Sequence, residues 1–577
     1  MQRQESNFSE DVKAYQPQNP KRKQTWNTSN AADAHAEVMA EYLAESVPEP
    51  REIHNFRTYL IAIIMCMGAA AYGYDTGFFG GTLALPSFKK EFGLRVPQDL
   101  TKAQLATKRA DMVSLFQAGS FFGAGLQLPF TEKYGRKWSV IFSNIIFIAS
   151  AFAQTFANGS VPVFVFGRFL GGFAVGFLSL VIPVYLAEFS PPSIRGRLVG
   201  FFDIFIQVGT LAGFWINYAI ETTMESNRFQ WQLPVFVQFF PAAFLLVGAF
   251  FVPESPRWLL MVDKRELAIK NLTRIRGIPE DHPYLAFELN EVTKGVEAER
   301  ALRGDSGMLR IAKELFVIHT HRKRLLFGMA LIFFKTFSGV QAVNYYSPII
   351  FEQLGFVGAK NSLFATGIYG TVKFVCTLIF GFFVVDRVGR RIPLIAGSIG
   401  LSLCLFFLGG YLTGVGPKAE GAPRVAGDYV AITSLFLYAA WYCFGWNSVP
   451  LTLISEIFGA RYRIVSMTVC LMWQWLCTFS IVRIMPIALN SVTTKTYFIF
   501  GSIFFCAAPF VWYFIPETKG LSLEYIDRLF DSSKRTGAGH VNEDNMPTLN
   551  SSGMDEDKPV IQYLENAAEQ KLAPVKE

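Results

Sequence analysis

The chain has 577 residues, is 51% hydrophobic with 57 Phe, is only 17% charged, and carries a formal net charge of +7. Together with a positive mean hydropathy, this excludes an ordinary soluble globule and places the chain among polytopic membrane proteins. The seven cysteines lie in apolar segments without CxxC spacing and the six histidines lie in tails or loops, so no disulfide framework, metal site or cofactor is expected, and intramembrane proton chemistry falls to carboxylates.

A polar tail, 1–57, opens the chain and is expected to be disordered. The first apolar run starts so far in that it reads as an uncleaved span and not a signal peptide. Runs of about 20 residues, enough to cross a hydrocarbon core of about 30 Å, fall near 59–80, 112–130, 139–157, 161–187, 198–220 and 233–252. These form a first half, 58–252. A soluble insert, 253–324, follows, with amphipathic stretches at 264–276 and 284–303 that read as short surface helices. A second half, 325–516, carries runs near 325–351, 363–385, 393–412, 429–457, 465–489 and 497–515, and a polar tail, 517–577, ends the chain. The expectation is an all-α membrane protein of twelve transmembrane helices in two pseudo-symmetric six-helix halves.

The loops from Glu132 to Lys137 and from Asp386 to Arg391 are basic, while those near Asn158 and 414–427 are not. By the positive-inside rule the basic loops, the insert and both termini are expected to be cytoplasmic. That asymmetry accounts for much of the net charge, so no nucleic-acid partner is implied. The halves also repeat: Glu132 with Gly135-Arg-Lys137 recurs as Asp386 with Gly389-Arg-Arg391, Glu188 and Arg195 as Glu456 and Arg463, and Pro253-Glu-Ser255 as Pro516-Glu-Thr518. Parallel six-helix repeats with a cavity between them are transporter architecture, able to rock about a midplane site.

Six charged residues, Asp75, Arg168, Asp203, Lys335, Lys373 and Arg483, sit inside the apolar runs. A charge at the centre of a membrane helix costs about 2.5–3.5 kcal/mol even on lenient insertion scales, so these residues should face a partner, a cavity or a path. Arg483, near the end of its run, could simply snorkel to the headgroups. There is no Walker GxxxxGK[ST] sequence, HExxH or nucleophile elbow to support an enzyme or an ATP-driven pump.

Seven motifs, Gly73-Tyr-Asp-Thr-Gly77, Gly167-Arg168, Pro183-Val-Tyr-Leu-Ala-Glu188, Pro253-Glu-Ser-Pro-Arg-Trp-Leu259, Asp386-Arg-Val-Gly-Arg-Arg391, Ser455-Glu-Ile-Phe458 and Pro516-Glu-Thr-Lys-Gly520, occur in one order across about 56–529. In these the chain resembles the sugar porters of the major facilitator superfamily, especially the fungal branch. The resemblance implies uptake by alternating access across the plasma membrane, with a small-molecule substrate and protons as partners and a monomer sufficient for function. It implies that Asp75 takes up the proton and Arg168 tunes it, although a static structural pair is the alternative reading. It also implies a cytoplasmic gate of Glu132, Arg136, Glu188, Arg195, Asp386, Arg390, Glu456 and Arg463 whose ion pairs tie the halves together, unless those charges only anchor helix ends.

The substrate-facing positions depart from the hexose pattern. Where hexose porters carry Gln-Gln-x-x-Gly-x-Asn before a Tyr pair, this chain reads Lys335-Thr336-Phe-Ser-Gly339-Val-Gln341 and then Tyr345-Tyr346. The fifth-span Gln becomes Asp203, an eighth-span Asn becomes Phe374 beside Lys373, and the tenth-span Trp becomes Leu451. Asp203, Gln207, Asn217, Lys335, Thr336, Gln341, Tyr345, Lys373 and Gln474 are the expected substrate-binding residues. An ammonium reads a carboxylate better than neutral hydroxyls, so a sugar acid fits, with D-galacturonate first and quinate next. Mutual neutralisation of Asp203 and Lys335, a neutral hexose or pentose as substrate, and a non-transporting nutrient sensor are the alternatives. Gly339 is expected to loosen the seventh helix.

Overall fold

The structure is a computed structural model that describes residues 49–515 and Glu517, apart from 96–98, 304–307, 357, 417–424 and 492–493. The two tails expected to be disordered fall almost wholly outside the described residues, as does the side chain of Asp386. Eleven helical stretches among the described residues are long and apolar enough to cross a membrane. The remaining expected span, Lys102–Tyr134, has 33 residues but is diluted by Ser114, Gln117, Ser120 and Gln127, all buried. Its polar residues face the interior, where it packs between the fourth and eleventh spans, while Phe122 and Leu126 face outward.

In chain order the spans are Phe56–Ala84, Lys102–Tyr134, Arg136–Thr155, Val161–Phe189, Arg195–Thr223 and the paired helices Arg228–Val237 and Phe239–Phe251. The second half runs His319–Thr336 with Val340–Gln353, Ala359–Ile379, Arg391–Val415, Ala426–Trp441 with Val449–Ile457, Ala460–Ser491 and Lys495–Phe514. Between the halves lie Pro256–Met261, Arg265–Arg276, Pro283–Arg303 and Met308–Val317. The outer surface is apolar, with Phe122, Trp138, Phe152, Phe240, Phe244 and Phe505 all exposed. Such a surface suits lipid, which also demands that backbone groups be satisfied within each helix.

Besides the sixth, which breaks at Gln238 between its paired helices, three spans are interrupted. The seventh breaks at Gly339, which has a φ of 82° and caps the second half-helix, while Ser338 Oγ accepts from Val340 N at 3.2 Å and the Ser338 carbonyl accepts from Tyr438 Oη at 2.7 Å. Side-chain and backbone partners thus replace the lost helical bonds. The tenth span passes through a π-helical turn, Tyr442–Trp446, and the eighth ends in another, Phe380–Val384. Such turns occur often at functional sites.

The linker region grips the start of the first span. The Asn55 side chain accepts from Thr58 N at 2.9 Å and donates to the Ile275 and Arg276 carbonyls at 3.0 and 2.8 Å. Arg276, buried, pairs with Glu288 at 2.5 Å and donates to the Phe189 carbonyl at 2.9 Å. The end of the molecule that carries these contacts is called the linker face below.

On that face the internal repeat becomes a pair of matching staples. Glu254 accepts from the backbone N–H groups of Arg136, Lys137 and Ser255 at 2.9–3.1 Å, and Glu517 accepts from those of Arg390 and Arg391 at 3.0 Å. Each carboxylate therefore sits on the positive end of a helix whose first N–H groups need acceptors. Burial drives the Glu254 carboxyl above its ordinary value, and the backbone donors and Arg136 pull against that. The glycine ahead of each helix, Gly135 at φ 91° and Gly389 at φ 84°, lets the carboxylate approach. A Cβ at Gly135 would lie 2.4 Å from Glu254 Oε2. Gly135→Ala is therefore expected to cost about 1–3 kcal/mol, seen as a lower melting temperature of the purified protein. Gly196→Ala, whose Cβ would meet nothing within 4 Å, is the control; equal melting temperatures for the two variants would refute the staple.

Candidate functional site

The first, second and fourth spans enclose an ion pair. Asp75 Oδ1 accepts from Arg168 Nη1, and both side chains are essentially inaccessible. Arg168 Nε also donates to the Met112 carbonyl at 3.3 Å, and its guanidinium lies 4.1 and 4.6 Å from the ring centroids of Phe79 and Phe116. Asp75 Oδ2 and Arg168 Nη2 are buried without a hydrogen-bond partner. In an apolar surround, such a pair holds both charges only while it stays intact. Protonation of Asp75 would release the arginine.

A second polar group lies where the two halves meet. Asp203 on the fifth span accepts a 2.5 Å hydrogen bond from Ser448 Oγ, just past the π-helical turn of the tenth. Gln207, one turn along from Asp203, is buried with no side-chain hydrogen bond among the described residues. Lys335 occupies the last turn of the first half of the seventh span, where the helix dipole favours a cation. It feels the charge of Asp203 but makes no ion pair with it within 4 Å, and Nζ has no hydrogen-bond partner among the described residues. Direct neutralisation of Lys335 by Asp203 is therefore not what the structure has.

Beyond the break, Gln341 Oε1 accepts from Asn344 Nδ2 at 3.4 Å, and Asn344 Oδ1 accepts from Lys373 Nζ at 3.1 Å. Lys373 is buried, with Nζ 5.8 Å from the Tyr369 ring centroid. Tyr72 joins this group to the first, lying beside Gln341 and within the fields of both Asp75 and Asp203. Thr336 Oγ1 and Gln474 Oε1 are buried and unpartnered. Two cations and one carboxylate thus leave one positive charge unbalanced in a region that also holds unsatisfied hydroxyl and amide groups.

Other expected residues lie elsewhere. Asn217 is wholly buried, with Nδ2 donating to the Phe78 and Gly213 carbonyls at 2.7 and 2.9 Å and Oδ1 accepting from Thr82 Oγ1 at 3.1 Å. It locks the first span to the fifth and is not presented to a cavity. Tyr345 is buried, and its hydroxyl shares a 3.1 Å hydrogen bond with the Gln117 amide across the halves. Arg483 does not merely snorkel, because it pairs with Asp111 of the second span.

The expected gate residues cluster on the linker face. Arg136 pairs with Glu188 at 2.7 Å, and Arg390 with Glu456 at 3.2 Å. Both pairs are internal to one half, so they join spans within a half and are not themselves ties between halves. Ser255 Oγ donates to Glu188 at 2.6 Å, and the Glu132 carbonyl accepts from Trp258 Nε1 at 2.9 Å. Arg195 is exposed at the start of the fifth span, and Arg463 Nε donates to the Phe458 carbonyl at 3.4 Å. Ser448, Tyr72 and Asp111 were not expected as site residues. The signal for Asp111 was its place one residue before the apolar run at 112; a lone Ser or Tyr inside a span gives none.

The sequence pattern of the family described as "Sugar (and other) transporter" matches residues 61–530. A probable quinate permease of Neosartorya fischeri is 39% identical over 496 residues, covering 85% of this chain and 90% of that protein. The quinate permease of Emericella nidulans is 38% identical over 494 residues, covering 85% and 91%. Among solved structures, the proton:xylose symporter XylE bound to 6-bromo-6-deoxy-D-glucose superposes with a TM-score of 0.68 at 26% identity, covering 82% of this chain and 99% of that one. A partially occluded inward-open form of the E. coli xylose transporter XylE gives 0.67 at 26%, covering 81% and 100%. These relatives are transporters and not enzymes. With its helical halves, its repeated linker-face motifs and these matches, the chain belongs to the sugar transporter family of the major facilitator superfamily, as a sugar porter of the fungal type that resembles quinate permeases.

Proposed function

We propose that the protein takes up a cyclic polyhydroxy monocarboxylate together with protons, by alternating access across the plasma membrane, with the linker face and both termini cytoplasmic. The observation that carries this reading is Lys335, an ammonium beside Asp203 where the halves meet, with no hydrogen-bond partner among the described residues. A carboxylate would complete it, while Gln207, Thr336 and Gln474 offer groups for hydroxyls. The one unbalanced positive charge among Asp203, Lys335 and Lys373 suits a monoanion. Quinate stands ahead of D-galacturonate because the similar proteins from Neosartorya fischeri and Emericella nidulans are described as quinate permeases. A neutral pentose is the second reading, favoured by the likeness to the xylose symporter.

Asp75 is the proton carrier in this proposal, and the buried pair with Arg168 supports it. An inside-negative potential is worth about 2.3 kcal/mol per charge per 100 mV. A monoanion with one proton therefore moves without net charge, and a second proton is needed to draw on the voltage.

Uptake of labelled quinate, galacturonate, glucose and xylose in a transporter-deficient cell, with and without an uncoupler, tests the reading. Quinate is expected to accumulate only when the proton gradient is intact. Competition by xylose or glucose, with none by the acids, would reject the anion. Lys335→Met is expected to raise the KM for quinate about 10–100-fold, the equivalent of one charge-assisted hydrogen bond of about 1.5–3 kcal/mol. An unchanged KM would remove Lys335 from the site. Asp75→Asn is expected to abolish uncoupler-sensitive accumulation while sparing downhill exchange; uphill accumulation by that variant would dismiss Asp75 as the carrier.

A further inference from the structure

At the end of the molecule opposite the linker face, a small open cleft is lined by Lys89, Arg109, Tyr345, Tyr346 and Glu352 among others. Its floor is shut. Gly80 of the first span lies so close to the seventh that a Cβ there would be 2.4 Å from the Tyr345 carbonyl. The two tyrosine hydroxyls are engaged below, Tyr345 with Gln117 and Tyr346 by donating to the Val482 carbonyl at 3.1 Å.

The charges around this cleft are not paired with one another. Lys89, Arg109 and Glu352 feel each other's fields, yet none makes a side-chain hydrogen bond or an ion pair within 4 Å among the described residues. Arg109 Nε is buried with no partner at all. Glu221 also acts on Lys89, but its carboxylate accepts from Gln230 Nε2 at 2.9 Å and it does not line the cleft. Partly desolvated charges without partners are costly unless something completes them. Two cations face one carboxylate, so one negative charge is missing.

We infer that this cleft is a second binding site, distinct from the region around Lys335, that takes the carboxylate of the transported acid on Arg109 and Lys89 above the closed tyrosine gate. The inference rests on the anionic-substrate reading above. Glu352 opposes the bound anion, which keeps the site weak and lets its occupant move on. The Tyr346 and Tyr345 pair separates this site from Lys335, so opening of the second half of the seventh span would join the two.

The test places a reporter in the cleft wall, Ile349→Cys, in the purified full-length protein, and measures its rate of modification by a maleimide against the unsubstituted chain. Sodium quinate is expected to slow modification at least about threefold, as mass action gives when most sites are filled. Inositol, a neutral ring of similar size, is expected to have no effect. Added Arg109→Gln should remove the protection, Glu352→Gln should extend it to lower quinate concentrations, and Lys335→Met should leave it in place. No protection, equal protection by inositol, weaker protection with Glu352→Gln, or loss with Lys335→Met would each overturn the inference. Protection without quinate uptake in cells would keep the cleft and discard the transport reading. Uptake without protection would do the reverse.

Discussion

The organising constraint in this molecule is that a charge removed from water must be matched, by a counter-charge, by hydrogen bonds or by a ligand. Asp75 and Arg168 obey it within the protein, face to face in an apolar surround. Arg136 with Glu188, Arg390 with Glu456 and Arg276 with Glu288 obey it at the linker face. Lys335, half-buried, has no such partner among the described residues, and in that it differs from the matched pairs.

The linker face and the opposite end are built on different principles. Near the linker, glutamates cap helix starts through backbone N–H groups, a device that stiffens each half separately. Toward the opposite end the halves meet through side chains: Trp215 Nε1 donates to Thr371 Oγ1 at 3.1 Å, Gln117 meets Tyr345, and Arg483 meets Asp111. These polar contacts sit on extensive packing of the second span against the eleventh and the fifth against the eighth, and each exchanges for water at modest net cost.

Much of this is legible in the sequence. The apolar runs placed all twelve spans, the second at 112–130 included, and the repeated Glu and Gly-Arg motifs marked where the matching staples form. Lys335 and Gly339 stood out because an ammonium and a helix breaker sit where an apolar helix would exclude both. Asn217 misled, since spacing shows that a residue lies within a span but not which neighbour its face meets. Ser448 stayed hidden for a related reason. A serine is ordinary inside a helix, and only the π-helical turn before it, a tertiary feature, brings it to Asp203. The second span is the most polar of the twelve because Ser114, Gln117, Ser120 and Gln127 face protein, a role its place in the sequence does not reveal.

The break at Gly339 has a further consequence. Lys335 ends one short helix and Tyr345 rides on the next, and the two helices are joined by only Phe337, Ser338 and Gly339. In the uptake reading proposed above, the ammonium that meets the acid and the tyrosine that closes the path share one span with a joint in its middle, so a pull at Lys335 would turn the tyrosine-bearing segment without unfolding either piece. On that reading the halves would carry the large displacement, and this joint a small and local one.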